Sequence, residues 1–339
     1  MRTKVLSIIL MLGTMGGACA IEGYDKVETA RFLGPLRVEV TLSGEKSFTE
    51  GPAVDGRGDV YFTNTGEILK FASETRELSV FRKPSTANGQ CFDAKGRLIH
   101  CEAGVGGNGR VTRTDMRTGE VEVLCDRFGG FPLGAPNDVT VDGSGRIYFT
   151  CRLSNTDVTK GNVNSVYRID ADGMTRRILV APEIDMPNGL AVSPDSGTFY
   201  LVESDGRENR ARNIRAYDLR GDGSVTNMRV LIDFSPGRGG DGMRLDERGN
   251  LYVAAGLHRT RGTSETLDTR PGIHVFSPKG VLLAFLETPE DTLTNCAFGG
   301  TDLRTLYITC GKFLLSTRTA FAGQSRYRVD AGGGVGGLK

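Results

Sequence analysis

Six segments of this 339-residue chain repeat one pattern, and that repetition limits the fold more than any other feature. Each segment starts with a residue bearing a side-chain oxygen. It continues as an apolar strand, turns at Asp or Gly, and returns as a second apolar strand. The segments are EGPAVDGRGDVYFT, NGQCFDAKGRLIHC, NDVTVDGSGRIYFT, NGLAVSPDSGTFYLV, DGMRLDERGNLYVA and NCAFGGTDLRTLYIT. Their first residues, Glu50, Asn88, Asn137, Asn188, Asp241 and Asn295, form a column with spacings of 38, 49, 51, 53 and 54 residues. Strand-rich repeats of this period are the signature of propeller blades.

A third strand follows each pair (EILKF, RVTRTD, SVYRID, IRAYDL, GIHVFS, FLLSTR), and a fourth follows five of the six (ELSVFR, VEVLCD, RRILVA, MRVLID, VLLAFL). Period-two alternation in many of these strands predicts antiparallel pairing. The sixth repeat lacks its fourth strand, and an unclaimed strand, RVEVTL at 37–42, stands ahead of the first. The expectation is an all-β, six-bladed β-propeller over residues 37–320, its ring closed by that N-terminal strand completing the last blade. No segment carries the 3.6-residue apolar stripe of a long helix, and the unbroken repeat phase argues against a second domain.

Residues 1–20 read as a signal peptide: Arg2 and Lys4, an apolar run over 5–12, then small residues ending in Ala18-Cys19-Ala20. The run is far below the roughly 20 residues that a spanning helix needs. Export to the periplasm or the medium is therefore expected, with lipidation at Cys19 the less favoured route. Residues 21–36 are a lead-in, and 321–339 a Gly-rich tail. Six cysteines remain after cleavage, mostly within predicted strands, and are expected to be mainly free thiols. A net charge of +1 gives no reason to expect a nucleic-acid partner.

In a blade the first strand lines the central channel, so the column should ring one mouth of it. The longer loops, 152–164, 204–213 and 256–272, should rise on the same face. Asn, Asp and Gly at strand starts can be mere turn formers. That accounts poorly for six aligned positions, and least well for Glu50. Buried carboxylates need a cation or protons. A ring of carboxylate and carboxamide oxygens suits one hard divalent cation: Ca²⁺ is favoured, with Mg²⁺, Mn²⁺ or Zn²⁺ as alternatives.

With these segments in this order, the chain resembles the SMP-30/gluconolactonase family of six-bladed propellers over roughly residues 45–315. The resemblance implies hydrolysis of a lactone, typically a sugar lactone, with one divalent metal in the channel. It places metal ligands at Glu50, Asn137, Asn188 and Asp241, and a substrate-contacting residue at Asn88. Asn295 has no family role, and capping of its strand entry is the simpler reading. The chain departs from the family at Asn64 and Cys151, where Asp often follows YFT, and at Ala103, where His often follows CE. These positions border the site and bear on the substrate, not on the ligands.

On this reading the metal acts as Lewis acid and Asp241 as general base. No GxSxG elbow offers a nucleophile. His100 and His274 are expected to be packed structural residues, with His258 a lesser candidate for proton transfer. Arg152, Arg207, Arg210, Arg212, Arg259, Arg261 and Arg270 on the same-face loops are expected to form a solvated charged rim; attraction of an anionic substrate is the sharper alternative. Two other functional classes fit the same ring: a metal-dependent organophosphate or ester hydrolase, and a non-catalytic exported propeller that binds sugars or proteins.

Overall fold

The computed structural model describes residue 21, residues 23–105, 108–152 and 163–324, and the short strands Arg328–Val329 and Val335–Gly336. The signal-peptide stretch, residues 153–162 of the first long loop and most of the Gly-rich tail lie outside the described residues.

Six four-stranded antiparallel sheets form the blades. Blade I is Glu50–Val54, Val60–Asn64, Glu67–Phe71 and Leu78–Arg82; blade II is Ala87–Phe92, Leu98–Glu102, Arg110–Thr114 and Val121–Cys125. Blade III is Ala135–Val141, Ile147–Arg152, Ser165–Ile169 and Thr175–Val180; blade IV is Pro187–Val192, Thr198–Ser204, Arg212–Leu219 and Val225–Asp233. Blade V is Gly240–Leu245, Leu251–Ala255, Gly272–Phe276 and Leu282–Glu287. Blade VI takes Leu293–Gly299, Thr305–Cys310 and Phe313–Arg318 from the C-terminal end and Arg37–Thr41 from the N-terminal end. That last strand pairs antiparallel with Phe313–Arg318, as the unclaimed RVEVTL segment predicts.

The alternation of side chains sets the core. Each blade is covered on both faces by its neighbours, so its middle strands are largely buried, and odd and even residues serve different gaps. In blade III, Phe149 packs toward blade II with Ile99, Cys101 and Val139, while Tyr148 packs toward blade IV with Leu190 and Phe199. Six apolar clusters result, one in each gap between blades. The gap between blades VI and I is filled by Val40, Tyr307 and Leu314 against Val60, Phe62 and Phe71. The N-terminal strand thus supplies core as well as hydrogen bonds at the seam, where burial of one such side chain contributes on the order of 1.5–3 kcal/mol. Outer strands such as Val121–Cys125 keep charged and exposed residues on the rim, which discourages edge pairing.

The six cysteines are all free. Burial pushes the Cys101 and Cys151 thiols up, so they behave as small apolar groups. Among the described residues no helix is long and apolar enough to cross a membrane.

Candidate active site at the channel mouth

The innermost strands touch in sequence around the ring, and the last touches the first. This brings all six column residues to one mouth. The glycine that follows four of them explains how closely. A Cβ on Gly51 would lie 2.0 Å from the Asn88 carbonyl oxygen, and one on Gly189 would lie 2.5 Å from that of Asp241. A Cβ on Gly89 would strike Asp138, and one on Gly242 the side chain of Asn295. Only glycine lets neighbouring column segments approach this far. The Thr150 hydroxyl donates to the Asn188 carbonyl at 2.8 Å, and Asn295 reaches Glu50 at 3.4 Å, so contact continues between blades III and IV and across the seam.

The column side chains are buried or nearly so: Glu50 is 4% exposed, Asn137 7%, Asn188 2% and Asn295 fully covered. Among the described residues, the carboxamide oxygens of Asn88, Asn137 and Asn188 are buried without a hydrogen-bond donor. Three such orphans at one mouth are unusual, because buried polar atoms are almost always satisfied. Burial pushes the Glu50 carboxyl well above its ordinary range. The charges of Asp241 and Asp138 add to this, and the Gly51 N–H and Asn295 only partly oppose it. Acceptors without donors beside carboxylates that repel one another are what a hard cation relieves, so these residues fit a divalent ion. The donors are two carboxylates and several carboxamides; among the described residues no group of three or more His, Cys, Asp and Glu is arranged to hold a metal.

Asn295 does more than cap its strand. Its oxygen accepts from the Cys296 N–H at 2.9 Å, as a cap would, while its amide nitrogen lies 3.4 Å from Glu50 and 3.3 Å from Asp138. It therefore separates two buried acids.

Five further residues shape the mouth without standing out in the repeat. Asp138 replaces the glycine found after the column residue in four repeats, and Arg244 stands where Ala53, Cys91, Thr140 and Ala191 stand in blades I to IV. The two pair at 3.3 Å, and Arg244 also donates to the Met243 carbonyl at 2.8 Å. Together they form a floor below the column. Each is the only charged residue among the six at its repeat position, a signal available in the sequence. Ser204 receives both the Asn188 amide at 3.0 Å and the Arg152 guanidinium at 2.9 Å. Arg238 holds Asp241 Oδ2 at 2.9 Å. Arg152 is desolvated enough to lower its affinity for its proton, and the charges of Asp241 and Glu50 partly restore it. No repeat position marks Ser204, Arg152 or Arg238, because their roles depend on side-chain direction out of loops and strand ends.

The other rim arginines are paired: Arg207 with Asp205 at 2.5 Å, Arg210 with Asp185 at 3.0 Å, Arg270 with Glu287 at 2.8 Å and Arg259 with Asp291 at 3.6 Å. Arg212 is buried on the carbonyls of Asp205 and Pro236, and Arg261 donates to the Asp291 carbonyl. His100 lies buried between Gln90 and Thr114, and His274 between Tyr24 and the Gly272 carbonyl. His258 is exposed, with one ring nitrogen 2.8 Å from the Thr288 carbonyl.

A closed six-bladed ring with an oxygen-lined mouth defines a β-propeller with a candidate site at its channel. Residues 48–312 match the family described as SMP-30/Gluconolactonase/LRE-like region, and the chain belongs to that family. It is 30% identical over 308 residues to a gluconolactonase of Zymomonas mobilis, covering 82% of this chain and 80% of that protein. It is 31% identical over 195 residues to a 6-deoxy-6-sulfogluconolactonase of Pseudomonas putida, covering 56% and 60% respectively. A solved gluconolactonase from Xanthomonas campestris superimposes with a TM-score of 0.69 at 29% identity, covering 86% of this chain and 91% of that one.

Proposed function

We propose that this chain is a lactonase that opens a sugar-lactone ring with the help of one divalent cation, Ca²⁺ in the first instance. Glu50, Asn137, Asn188 and Asp241 would hold the cation, Asn88 would meet substrate, and Asp241 would serve as general base. The lactonase class rests on the kinship with gluconolactonases. The observation that carries the site is the set of three donorless carboxamide oxygens beside Glu50 and Asp241.

When bound, the cation would polarise the lactone carbonyl and stabilise the negative charge that develops on its oxygen. The chain's own residues prepare the rest. Ser204 fixes the Asn188 amide nitrogen, which leaves its oxygen turned toward the mouth. Arg238 anchors one oxygen of Asp241, and the other would take a proton from the attacking water. The Asn88 oxygen is available to accept from a sugar hydroxyl. Arg244 spans the channel below the column from Asp138 to the Gln90 carbonyl, so substrate would enter from the loop face. Residues 1–20 would direct export, placing the enzyme in the periplasm or the medium.

The test is a proton-release assay over a panel of lactones, with chelator and with added Ca²⁺. Turnover should vanish with chelator and return with Ca²⁺. Asp241→Asn should lower kcat by roughly 10²–10⁴-fold, the usual range for loss of a general base, while calorimetry still detects some Ca²⁺ binding. Hydrolysis indifferent to chelator would remove the cation from the mechanism, and near-normal turnover by Asp241→Asn would remove the base.

A further inference from the structure

The arginines around the mouth fall into two populations. Arg207, Arg210, Arg259 and Arg270 are exposed or half-exposed, and each is matched to an acid on the rim. Arg152 and Arg238 are turned inward, and their environment is different. Arg238 lies on Asp241. Arg152 spends one nitrogen on Ser204, and its Nε is buried with no acceptor among the described residues. One mouth thus holds three oxygens that lack donors and one guanidinium nitrogen that lacks an acceptor.

The charges tell the same story. On the floor, Asp138 and Arg244 cancel. At the column, Glu50 and Asp241 face Arg152 and Arg238, which lie close enough to feel one another's charge. Asp205 is engaged by Arg207, and Asp291 by Arg259 and Arg261. Among the described residues, the column and floor thus set three acids (Glu50, Asp138 and Asp241) against three guanidiniums (Arg152, Arg238 and Arg244). A divalent cation seated among the column oxygens would leave two positive charges in excess, in a site where uncompensated charge is expensive.

We propose that the lactone accepted here carries an anionic group of its own, received by Arg152. This rests on the lactonase reading. A carboxylate or a phosphate ester would offset the excess charge and give Arg152 Nε the acceptor it lacks, and a planar guanidinium is well matched to either. A neutral aldonolactone would leave both needs unmet.

Binding can be measured apart from turnover. The probes are tetrahydrofuran-2-carboxylate and its isosteric neutral carboxamide, titrated by calorimetry into the Ca²⁺-loaded full chain. The carboxylate should bind about tenfold more tightly or better, the effect of a hydrogen bond to a charged group. Arg152→Gln should bring the two within about twofold, and Arg152→Lys should retain part of the preference. Equal binding by wild type, or an undiminished ratio in Arg152→Gln, overturns the proposal. If Arg152→Gln does not fold, the salt dependence of wild type decides: carboxylate affinity should fall with added NaCl while carboxamide affinity holds, and parallel curves would overturn the idea.

Hydrolysis of glucarolactone and of a 6-phosphorylated gluconolactone, each compared with gluconolactone, separates carboxylate from phosphate. Equal kcat/KM for the neutral and both anionic lactones sinks this inference and leaves the lactonase intact. A preserved carboxylate preference in binding, with no lactone hydrolysed, sinks the lactonase reading and leaves the anion site standing.

Discussion

The two ends of the innermost strands treat polar side chains in opposite ways. At the far end five of the six hairpins turn on an acid or hydroxyl that accepts backbone N–H groups: Asp55, Asp93, Asp142, Ser193 and Asp246. Asp142 accepts the Ser144 and Arg146 N–H groups at 2.8 and 3.0 Å and pairs with the Arg146 side chain at 2.6 Å. Asp55 and Asp246 take two backbone N–H groups each in the same manner. Gly145, with φ of +80°, completes such a turn in the left-handed region. At the column end, only a few residues along the same strands, Asn88, Asn137 and Asn188 have oxygens without donors, and Glu50 is held among other acids. Both ends repeat, so repetition alone does not separate a turn from a site. Satisfaction does: the turn acids stabilise the fold by themselves, whereas the column is left incomplete by the fold.

The sharpest way to break this contrast is to remove a charge from each end. Glu50→Gln should lower activity by roughly 10²–10³-fold, the scale of losing one electrostatic stabiliser, and weaken Ca²⁺ binding in calorimetry. In chelator the same variant should be more stable than wild type, because a buried acid repelled by Asp241 and Asp138 has become neutral. Asp142→Ala should do the reverse. It leaves two backbone N–H groups and Arg146 without their acceptor, costs roughly 2–4 kcal/mol in urea unfolding, and leaves kcat within about twofold of wild type. If both variants were simply destabilised, the column would be ordinary turn chemistry.

Asn295→Ala sits between these extremes. The Cys296 N–H would lose its acceptor, and Glu50 and Asp138 would lose the amide between them. A loss of roughly 1–3 kcal/mol in chelator is expected, shrinking when Ca²⁺ saturates the site. An equal loss under both conditions would return Asn295 to a pure strand cap.

The blades were readable because period-two alternation and the six repeated starts both reflect burial on two faces. Closure was readable because one strand was missing at one end and spare at the other. The column was readable because Glu50 is out of place among turn formers. Asp138 and Arg244 could have been found as the only charged residues at their repeat positions. What sequence spacing does not carry is direction: nothing in it separates Arg152, turned into the mouth, from Arg207, paired on the rim. The rim reading therefore holds for the five exposed arginines, Arg207, Arg210, Arg259, Arg261 and Arg270, and fails for Arg152 and for buried Arg212.

His274 offers the smallest and cleanest check, because it is a buried polar group belonging to neither strand end. Its Nδ1 faces the Gly272 carbonyl at 3.1 Å and so carries the proton; Nε2 then accepts from the Tyr24 hydroxyl at 2.8 Å. It is satisfied only as the neutral ring, and burial pulls its pKa down to about 3. Above the free value of about 6.5, folded and unfolded chains are both neutral here and the group contributes nothing to pH dependence. Between there and about 3, the unfolded chain takes up a proton that the folded one refuses, so stability falls as pH falls. From pH 7 to pH 5 this single residue should remove about 2 kcal/mol. His274→Gln should be less stable than wild type at pH 7, having lost packing around Phe285 and Phe276. It should nonetheless lose about 2 kcal/mol less than wild type on acidification. Urea midpoints at the two pH values measure both effects, and equal acid sensitivity would mean that His274 titrates freely and that the Tyr24 contact does not hold it neutral.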